Sequence, residues 1–450
     1  MNLEKIKKAY FIGIGGIGMS AIARYFKQKN IEVSGYDKTP TVLTHQLEKE
    51  GVKIHFEENI EMIPKDADVV IYTPAIPGEH IELKFFKENN YLIKKRSDIL
   101  QEITKDFFTI AIAGTHGKTT VSSMISHILK HSGYDCTAFL GGIALNFNSN
   151  FVNGKNETMV VEADEYDRSF LKLNPNIGVI TATDADHLDI YGTEEKMQGA
   201  YIEFAGKIKS NGLLVTKFNL PILKEVNNEN IITYSFQDSR ANYFAKNIKK
   251  ENGGYIFDVI HTEQGVQNVR LNIGGLHNVE NTVVAIAIAQ ALKIDNDKIK
   301  KAIFEFKGVQ RRFEYKIKTK DFIFIDDYAH HPQEIKALIS SVKELYPEKK
   351  ITAIFQPHLF SRTRDLADGF VESLNLADEV ILLDIYPARE LLIEGVSSKM
   401  LYDKLSVKEK LLCSKNDLLD VLKNKKTGVL LTIGAGDIDQ LIEPIRKIYE

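Results

Sequence analysis

The sequence has few of the features that mark several protein classes. Its 450 residues include no tryptophan and two cysteines, Cys136 and Cys413, which are too few for a disulfide framework and indicate a reducing compartment. The 58 basic and 61 acidic side chains give a formal net charge of −3, so no basic field favours nucleic acid. No apolar run is long enough to span a bilayer. We therefore expect a cytoplasmic protein that binds neither nucleic acid nor membrane.

The length and the order of patterns predict an α/β protein of three domains. Apolar, β-favouring runs alternate with helical periodicity along most of the chain, which favours parallel sheets. Short alternating runs at 240–273 predict a small antiparallel excursion. The expected domains are 1–105 with a Rossmann-like parallel sheet, 106–306 with a P-loop-type ATPase fold, and 307–450 with a second Rossmann-like sheet.

The chain is organised around an apolar run at 107–113 that leads into a glycine turn and a helix start. The turn reads Gly114-Thr115-His116-Gly117-Lys118-Thr119-Thr120. Backbone N–H groups at such a helix N-terminus converge on an anion. The strict phosphate-loop pattern requires glycine at position 112, where isoleucine stands. We expect this loop to bind ATP, with Lys118 on the terminal phosphates and Thr119 on Mg²⁺; the alternative is a glycine turn with a solvated lysine.

A second glycine motif lies near the N-terminus. Gly13, Gly15 and Gly18 satisfy G-x-G-x-x-G between a short apolar strand and a helix, and Asp37 follows at the distance of a ribose-binding acid. Early lysines and apolar residues make the segment resemble a signal peptide, but its glycines and the lack of a cleavage site favour a loop. The motif alone is typical of an NAD dehydrogenase. In physical terms the motif indicates only that a pyrophosphate can approach the backbone closely. A UDP-sugar also carries a pyrophosphate. The alternative is a packing turn that binds no ligand.

Acidic residues follow two predicted strands beyond the Gly-Lys-Thr loop. The run at 158–162 ends in Glu162-Ala163-Asp164-Glu165, and we expect Glu162 to ligate Mg²⁺, with Asp164 and Glu165 in support. A solvated acidic loop is the alternative. The next strand is followed by Asp186-His187-Leu188-Asp189, where His187 is a candidate second metal ligand or orienting group.

The last third of the chain carries amide, arginine and histidine candidates. Asn278 and Asn281, in a stretch that leads into a predicted helix at 283–292, suit an adenine edge, and a helix N-cap by Asn278 is an alternative. The adjacent pair Arg311-Arg312 suits phosphate or carboxylate contact, as does Arg362 after a predicted strand. The spacing of the acids and histidines at 326–331 matches no zinc pattern.

Taken together, these motifs resemble the Mur ligases of peptidoglycan synthesis. The stretches that carry the resemblance occur in family order over nearly the whole chain: Gly13–Met19, Gly114–Thr120, Glu162–Glu165, Asp186–Asp189, His277–Asn281, Arg311–Glu314, Asp327–Pro332, Gln356–His358 and Asp384–Glu390.

The resemblance implies a function and a set of site residues. It implies an ATP-dependent ligase that joins L-alanine to the lactyl carboxylate of UDP-N-acetylmuramate through an acyl phosphate, working as a monomer or homodimer. The implied substrate contacts are Gly15, Gly16, Ile17, Gly18 and Thr73 for the UDP part, and His358 and Arg362 for the amino acid. The implied ATP contacts are Gly114 to Thr120, Asn278, Asn281 and Arg312, with Lys118, Glu162 and His187 as catalytic residues and Thr119, Glu162 and His187 as metal ligands.

Two departures and three alternatives accompany this interpretation. Leu359 stands where some relatives carry an arginine, and Ile202 and Glu203 lie near the place where several sister ligases carry a modified lysine. The alternatives are the ligase that recycles a tripeptide onto UDP-N-acetylmuramate, an NAD oxidoreductase, and a nucleotide-switch binding protein.

Overall fold

Three β-sheets organise the chain, and each is covered by helices. The computed structural model describes residues 3–184, 188–261, 265–388 and 390–450. The chain divides into two compact units, the first comprising Met1–Lys246, Asp258–Val269 and Glu280–Phe306, the second Asn247–Phe257, Arg270–Val279 and Lys307–Glu450. In the part of the chain so described, no helix has both the length and the apolar character needed to cross a membrane.

The first sheet is five-stranded and parallel, in the order β3-β2-β1-β4-β5. Its central strand is buried on both faces, which explains the continuous apolar and aromatic run. The strands and helices are β1 (Lys8–Ile12), α1 (Ile17–Gln28), β2 (Glu32–Tyr36), α2 (Val42–Lys49), β3 (Lys53–His55), β4 (Val69–Tyr72), α3 (Ile81–Glu88), β5 (Ile93–Lys95) and α4 (Arg96–Thr104). The chain leaves β1 for β2 on one side and returns to β4 on the other, so a crevice opens at the carboxyl ends of β1 and β4.

The second sheet is ten-stranded, in the order β15-β14-β13-β12-β11-β10-β6-β9-β7-β8. Its first elements are β6 (Phe108–Ala113), α5 (Lys118–Ser132), β7 (Thr137–Ala144), β8 (Ser149–Val152), β9 (Thr158–Glu162), β10 (Ile177–Ile180), α6 (Leu188–Tyr191), α7 (Glu194–Gly206) and β11 (Leu213–Lys217). It continues with β12 (Ile231–Ser235), β13 (Tyr243–Glu251), β14 (Gly254–Ile260), β15 (Val266–Leu271), α8 (Leu276–Ala291) and α9 (Asn296–Glu305).

The predicted antiparallel excursion is present at one edge of this sheet. Strands β13 and β14 are neighbours joined by Asn252 and Gly253, whose φ values of 48° and 69° suit a tight hairpin turn. The hydroxyl of Tyr315 donates to the carbonyl of Gly253 at 2.7 Å, so the turn is held by the second unit, to which it belongs.

The third sheet has six strands in the order β16-β17-β21-β18-β19-β20, with only β16 antiparallel among its described pairings. Its strands and helices are β16 (Glu314–Lys318), β17 (Ile323–Asp327), α10 (Pro332–Leu345), β18 (Ile351–Phe355), α11 (Phe360–Asp365), α12 (Ala367–Leu374), β19 (Glu379–Leu382), α13 (Lys399–Lys404), β20 (Glu409–Leu412), α14 (Leu418–Lys423), β21 (Val429–Ile433) and α15 (Ile442–Tyr449). Pro332 opens α10 because its fixed φ suits the first helical position.

The first two sheets share one apolar core within the first unit. Helix α1 of the first sheet packs on β7 and β8 of the second, where the ring of Tyr25 lies 5.6 Å from that of Phe139 and 6.1 Å from that of Phe151. Arg24 adds a polar tie, because its guanidinium binds the carboxylate of Glu50 and the side-chain amide of Asn150. This packing fixes the first crevice relative to the Gly-Lys-Thr loop.

A buried carboxylate lies beside the first sheet. Glu82, in the first turn of α3, is fully buried and accepts hydrogen bonds from the Tyr10 hydroxyl at 2.6 Å, His55 Nε2 at 2.8 Å and the Asn59 N–H at 3.0 Å. Burial alone would raise the pKa of Glu82, but the hydrogen bonds from His55 and Tyr10 outweigh it and hold the pKa below its ordinary value. The carboxylate therefore stabilises the fold in its charged form.

We predict that Glu82→Gln lowers the free energy of unfolding at pH 7 by about 2 kcal/mol, since three donors lose their charged acceptor. A carboxyl whose folded pKa is depressed contributes stability above its unfolded pKa, about 4.3, and loses that contribution as the pH falls through the folded value. Urea unfolding at pH 7 and at stepwise lower pH measures the gap between wild type and variant, which should narrow below about pH 4.3.

The matched control is Glu79→Gln. Glu79 is exposed and pairs with Lys84 on the surface, where water screens the pair, so its loss should leave the stability close to that of wild type. Equal stability of Glu82→Gln and wild type at pH 7, or a gap that stays constant with pH, would contradict this account of the buried network.

Candidate functional site

The Gly-Lys-Thr loop lies where predicted, between β6 and α5. Gly114 has a φ of +130°, and a Cβ placed there would lie 2.1 Å from the hydroxyl oxygen of Thr181, so only glycine fits. The Thr115 N–H donates to the carbonyl of Ala182 at 3.1 Å, and the Thr181 hydroxyl donates to the carbonyl of His116. The loop after β6 is therefore anchored on the strand end of β10.

The departure from the strict phosphate-loop pattern has a structural reason. Position 112 lies inside β6, where Ile112 is fully buried and pairs in register with Glu162 of β9. The strand continues through Ala113, and the turn begins at Gly114. Gly117, with a φ of +83°, caps α5, and a Cβ placed on it would lie 2.9 Å from the side-chain oxygen of Asn281.

Lys118 is the first residue of α5, and its ammonium group is already paired. Its Nζ lies 2.7 Å from Glu165 Oε1 and 2.6 Å from the carbonyl oxygen of Gly114. Glu165 is 1% exposed, and its backbone carbonyl accepts a hydrogen bond from the Tyr191 hydroxyl at 2.7 Å. The ion pair thus holds the loop after β9 against the loop after β6.

Burial and neighbouring charges shift the pKa values of Lys118 and Glu165 in opposite directions. Burial would lower the pKa of Lys118, but the charges of Glu165, Glu162 and Asp164 outweigh it and raise the pKa, so the ammonium stays charged. Burial raises the pKa of Glu165, although Lys118 counteracts it. A buried ammonium surrounded by carboxylates is a suitable place for phosphate and a divalent cation together.

The remaining loop residues flank Lys118. Thr119 and Thr120 form the first turn of α5, Thr119 half-buried and Thr120 buried. His116 is exposed, and its Nε2 lies 3.9 Å from a carboxylate oxygen of Asp184. His187 lies outside the described residues, as does Arg389.

Glu162 ends β9 and is held in place by a glycine. Its Oε2 accepts the N–H of Gly141 at 3.1 Å, and a Cβ on Gly141 would lie only 2.2 Å from Oε1. The close approach requires glycine at 141, a residue that sequence reasoning did not single out. A carboxylate and a hydroxyl are ligands that Mg²⁺ accepts, and the described residues contain no group of three acids, histidines or cysteines able to hold a metal by themselves.

A cavity of about 300 Å³ lies at the carboxyl ends of β1, β4 and β5. Its lining includes four of the five residues predicted to contact the UDP part together with acids of the loop after β9, namely Gly16, Ile17, Gly18, Thr73, Arg96, Gly141, Glu162, Asp164 and Asp167. The first glycine motif and the acids of the loop after β9 therefore face the same cavity of the first unit.

Gly15 and Asp37 have a different role from the one that an NAD motif suggests. The N–H of Gly15 donates to Asp37 Oδ2 at 2.7 Å, and Asp37 also accepts the N–H of Thr39. A Cβ on Gly15 would lie 2.8 Å from the same carboxylate oxygen. Asp37 thus braces the glycine loop against the end of β2.

The helix that carries Asn278 begins earlier than predicted. Helix α8 starts at Leu276, not near 283, so the alternative of an N-cap by Asn278 is wrong. The buried Asn278 amide instead donates to the carbonyl of Gly274 at 2.7 Å. Polar residues fill most of the first two turns and obscured the helical pattern, although Leu276, Val279 and Val283 already stand at helical spacing.

In the second unit, the candidate residues follow the ends of β17 and β18. The ring of His358 lies 5.8 Å from that of Tyr386 and 6.3 Å from that of His330. Burial, with the positive charge of Arg362, lowers the pKa of His358 to about 4, so the imidazole is neutral at pH 7.

Backbone geometry fixes the start of the helix that carries Arg362. Leu359 has a φ of +70°, which is uncommon for a branched side chain, and its N–H donates to the carbonyl of Tyr386 at 2.9 Å. Arg364 pairs with Asp365, whereas no carboxylate among the described residues lies within ion-pair distance of Arg362. Helix α11 thus presents a guanidinium beside a neutral imidazole.

The adjacent arginines both lie over the ring of Tyr328, Arg311 at 5.3 Å and Arg312 at 5.6 Å. Arg311 also binds the buried carboxylate of Asp326 at 3.1 Å. Near the position of the modified lysine in sister ligases, Glu203 of α7 lies 3.7 Å from the ammonium of Lys207.

Comparison with known proteins covers nearly the whole chain. Residues 8–108 match the Mur ligase family catalytic domain, residues 112–289 the Mur ligase middle domain, and residues 311–436 the Mur ligase glutamate ligase domain. A UDP-N-acetylmuramate–L-alanine ligase of Flavobacterium johnsoniae is 51% identical over 100% of this chain and 99% of its own, and that of Flavobacterium psychrophilum is 50% identical over 99% of each.

Solved structures of Mur ligases share the fold of this chain. The crystal structure of a UDP-N-acetylmuramate–alanine ligase from Thermotoga maritima superposes with a TM-score of 0.85 at 30% identity, covering 98% of this chain and 99% of that one. A murein peptide ligase from Psychrobacter arcticus shares the fold, with a TM-score of 0.71 at 21% identity over 98% of each chain. The chain belongs to the Mur ligase family.

Proposed function

We propose that this protein is an ATP-dependent ligase that joins L-alanine to the lactyl carboxylate of UDP-N-acetylmuramate in peptidoglycan precursor synthesis. The observation that carries the proposal is the placement of Lys118 among the charges of Glu165, Glu162 and Asp164, because the last two of these carboxylates also line the cavity at the first glycine loop. The full-length identity of about half to ligases named for this reaction supports it. We propose that the reaction takes place in the cytoplasm.

The chemistry requires activation of a carboxylate, because oxide is not a workable leaving group. The lactyl carboxylate attacks the γ-phosphorus of ATP, and the bond to the β-phosphate oxygen breaks to give an acyl phosphate and ADP. The neutral amine of L-alanine then adds to the acyl carbon, and the tetrahedral intermediate expels phosphate. Both oxygen nucleophile and phosphate are anions, so cationic groups at the loop lower the barrier of the first step.

In this proposal the loop from Gly114 to Thr120 binds the triphosphate through backbone N–H groups, and Lys118 moves from Glu165 to the phosphate oxygens. Thr119 and Glu162 would hold Mg²⁺, which would neutralise phosphate charge when bound. His187 remains a proposed second ligand, and Asn278, Asn281 and Arg312 remain proposed nucleotide contacts.

The two substrates are proposed to bind to different sets of residues. Gly15 to Gly18 and Thr73 are proposed to contact the UDP part, since they line or brace the cavity of the first unit. His358 and Arg362 are proposed to bind L-alanine. A guanidinium suits the amino-acid carboxylate, and a neutral imidazole adds no second positive charge near the amine.

Assays in which each substrate is omitted in turn test the proposed function. We predict that ADP and phosphate are released in equal amounts only when ATP, Mg²⁺, UDP-N-acetylmuramate and L-alanine are all present, measured by coupled assays and mass spectrometry of the product. Preference for the tripeptide over L-alanine would favour the recycling ligase. Rapid ATP hydrolysis without either acceptor, or a nicotinamide absorbance change, would contradict the proposal.

A second prediction separates the role of Lys118 in turnover from its role in folding. Lys118→Ala should lower kcat at least about 10²–10³-fold, because a donor to the developing phosphate charge is lost. It should also cost about 3 kcal/mol of stability, because the buried Glu165 carboxylate loses its partner. Steady-state kinetics and urea unfolding measure the two effects.

The double variant Lys118→Ala, Glu165→Gln is the control. Removing both charges should recover most of the lost stability, since an unpaired buried charge no longer remains. Turnover should stay low. Recovery of activity in the double variant, or full activity of Lys118→Ala, would exclude Lys118 as the phosphate-binding lysine.

A further inference from the structure

The segments that follow β18 and β19 run side by side beyond the two strands. The N–H of Tyr386 donates to the carbonyl of Pro357 at 2.8 Å, and the N–H of Leu359 donates to the carbonyl of Tyr386 at 2.9 Å. Between these bonds, His358 and Tyr386 form an isolated parallel bridge. The chain therefore enters α11 while it is still paired with the segment that follows β19.

The first turn of α11 has no cap from its own residues. The side chain of its N-cap residue, Leu359, cannot accept a hydrogen bond, and the described first turn contains no acid. The N–H groups at a helix start have no partner within the helix, so they need an acceptor from elsewhere. In this helix that acceptor comes from the segment that follows β19.

The carboxylate of Glu390 caps α11 from a distance of 29 positions along the chain. Its Oε2 accepts the N–H of Ser361 at 3.0 Å, and its Oε1 accepts the Ser361 hydroxyl. The N–H of Glu390 donates to the carbonyl of Pro387 at 2.9 Å, so a turn places the carboxylate beside the helix. Burial would raise the pKa of Glu390, but hydrogen bonds from Ser361 and the Phe360 N–H outweigh it and lower the pKa. The carboxylate is therefore charged at pH 7.

The turn that Glu390 caps also carries a proposed contact to L-alanine. Arg362 follows Ser361 directly, so the hydrogen bonds to Glu390 act on the residue next to the guanidinium. A guanidinium binds a carboxylate through a planar fork, which requires a fixed orientation. Because α11 is only six residues long, the position of Arg362 depends on how the start of this helix is held.

We propose that Glu390 is a positioning residue for L-alanine, which acts through Ser361 to hold Arg362 at the start of α11. The inference rests on the proposed function, because it takes L-alanine as the substrate that Arg362 binds. Both carboxylate oxygens of Glu390 already accept hydrogen bonds from α11, so Glu390 orients the guanidinium and does not itself contact the amino acid.

Two other roles for Glu390 lead to different results. A tie that only stabilises the fold would change the amount of active protein and leave every KM unchanged. A carboxylate that binds the ammonium group of L-alanine would act independently of Arg362, so the losses from removing the two side chains would multiply. A comparison of KM values and a double-variant cycle therefore distinguish the three roles.

The KM values come from steady-state phosphate release by the full chain, with each substrate varied in turn. Glu390→Ala should raise the KM for L-alanine at least about tenfold and leave those for ATP and UDP-N-acetylmuramate within about twofold, because a charged acceptor is lost only at α11. Glu390→Gln should be intermediate, since its amide oxygen still accepts one hydrogen bond. Glu394→Ala is the matched control, because it removes an exposed carboxylate of the same segment, and it should keep all three KM values.

The double-variant cycle adds Arg362→Ala and the pair Arg362→Ala, Glu390→Ala. Once Arg362 is absent, removing Glu390 should lower kcat/KM for L-alanine by no more than about twofold further, because the side chain that it positions is gone. The positioning role is overturned if Glu390→Ala keeps the wild-type KM for L-alanine, if all three KM values change alike, or if the two losses multiply. Failure of the wild type to use L-alanine would instead overturn the proposed function, and with it this role.

Discussion

The ion pair between Lys118 and Glu165 is the interaction on which the arrangement of the site depends. It joins the loop after β6 to the loop after β9, and Thr181 at the end of β10 anchors the first of these loops from the other side. These three strands are neighbours in the order β10-β6-β9, so their carboxyl ends meet at one edge. The buried Glu165 carboxylate, with the nearby charges of Glu162 and Asp164, keeps Lys118 charged and oriented at the start of α5, as its proposed role in phosphate binding requires.

The first two sheets hold a fixed position relative to each other because they share one apolar core. The packing of α1 on β7 and β8 sets the first glycine loop against the acids that follow β9, and the cavity between them is lined from both sides. Phosphate transfer between two anions needs such an arrangement, since the nucleophile and the phosphorus must be held together against their repulsion. Glycines at 114 and 141 permit the close approaches that this geometry requires.

Much of this arrangement could be predicted from local patterns. The strands at 108–113, 158–162 and 351–355 are buried on both faces and read as continuous apolar runs, so they were predictable. The start of α8 was not, because polar residues occupy its first turns. Arg96 was also missed, since it sits in a Lys-Lys-Arg run that is typical of a solvated surface, and only the strand order brings it to Gly18. Contacts between distant loops, such as Gly141 with Glu162, leave no local signal.

In the proposed reaction, the loop from Gly114 to Thr120 presents the γ-phosphorus of ATP to a carboxylate of the sugar substrate. The most direct measurement uses UDP-N-acetylmuramate with ¹⁸O in both oxygens of the lactyl carboxylate and follows the label by mass spectrometry during turnover with ATP and L-alanine. We predict that each released inorganic phosphate carries one ¹⁸O from the carboxylate. Unlabelled phosphate, or label appearing in AMP with release of pyrophosphate, would contradict it.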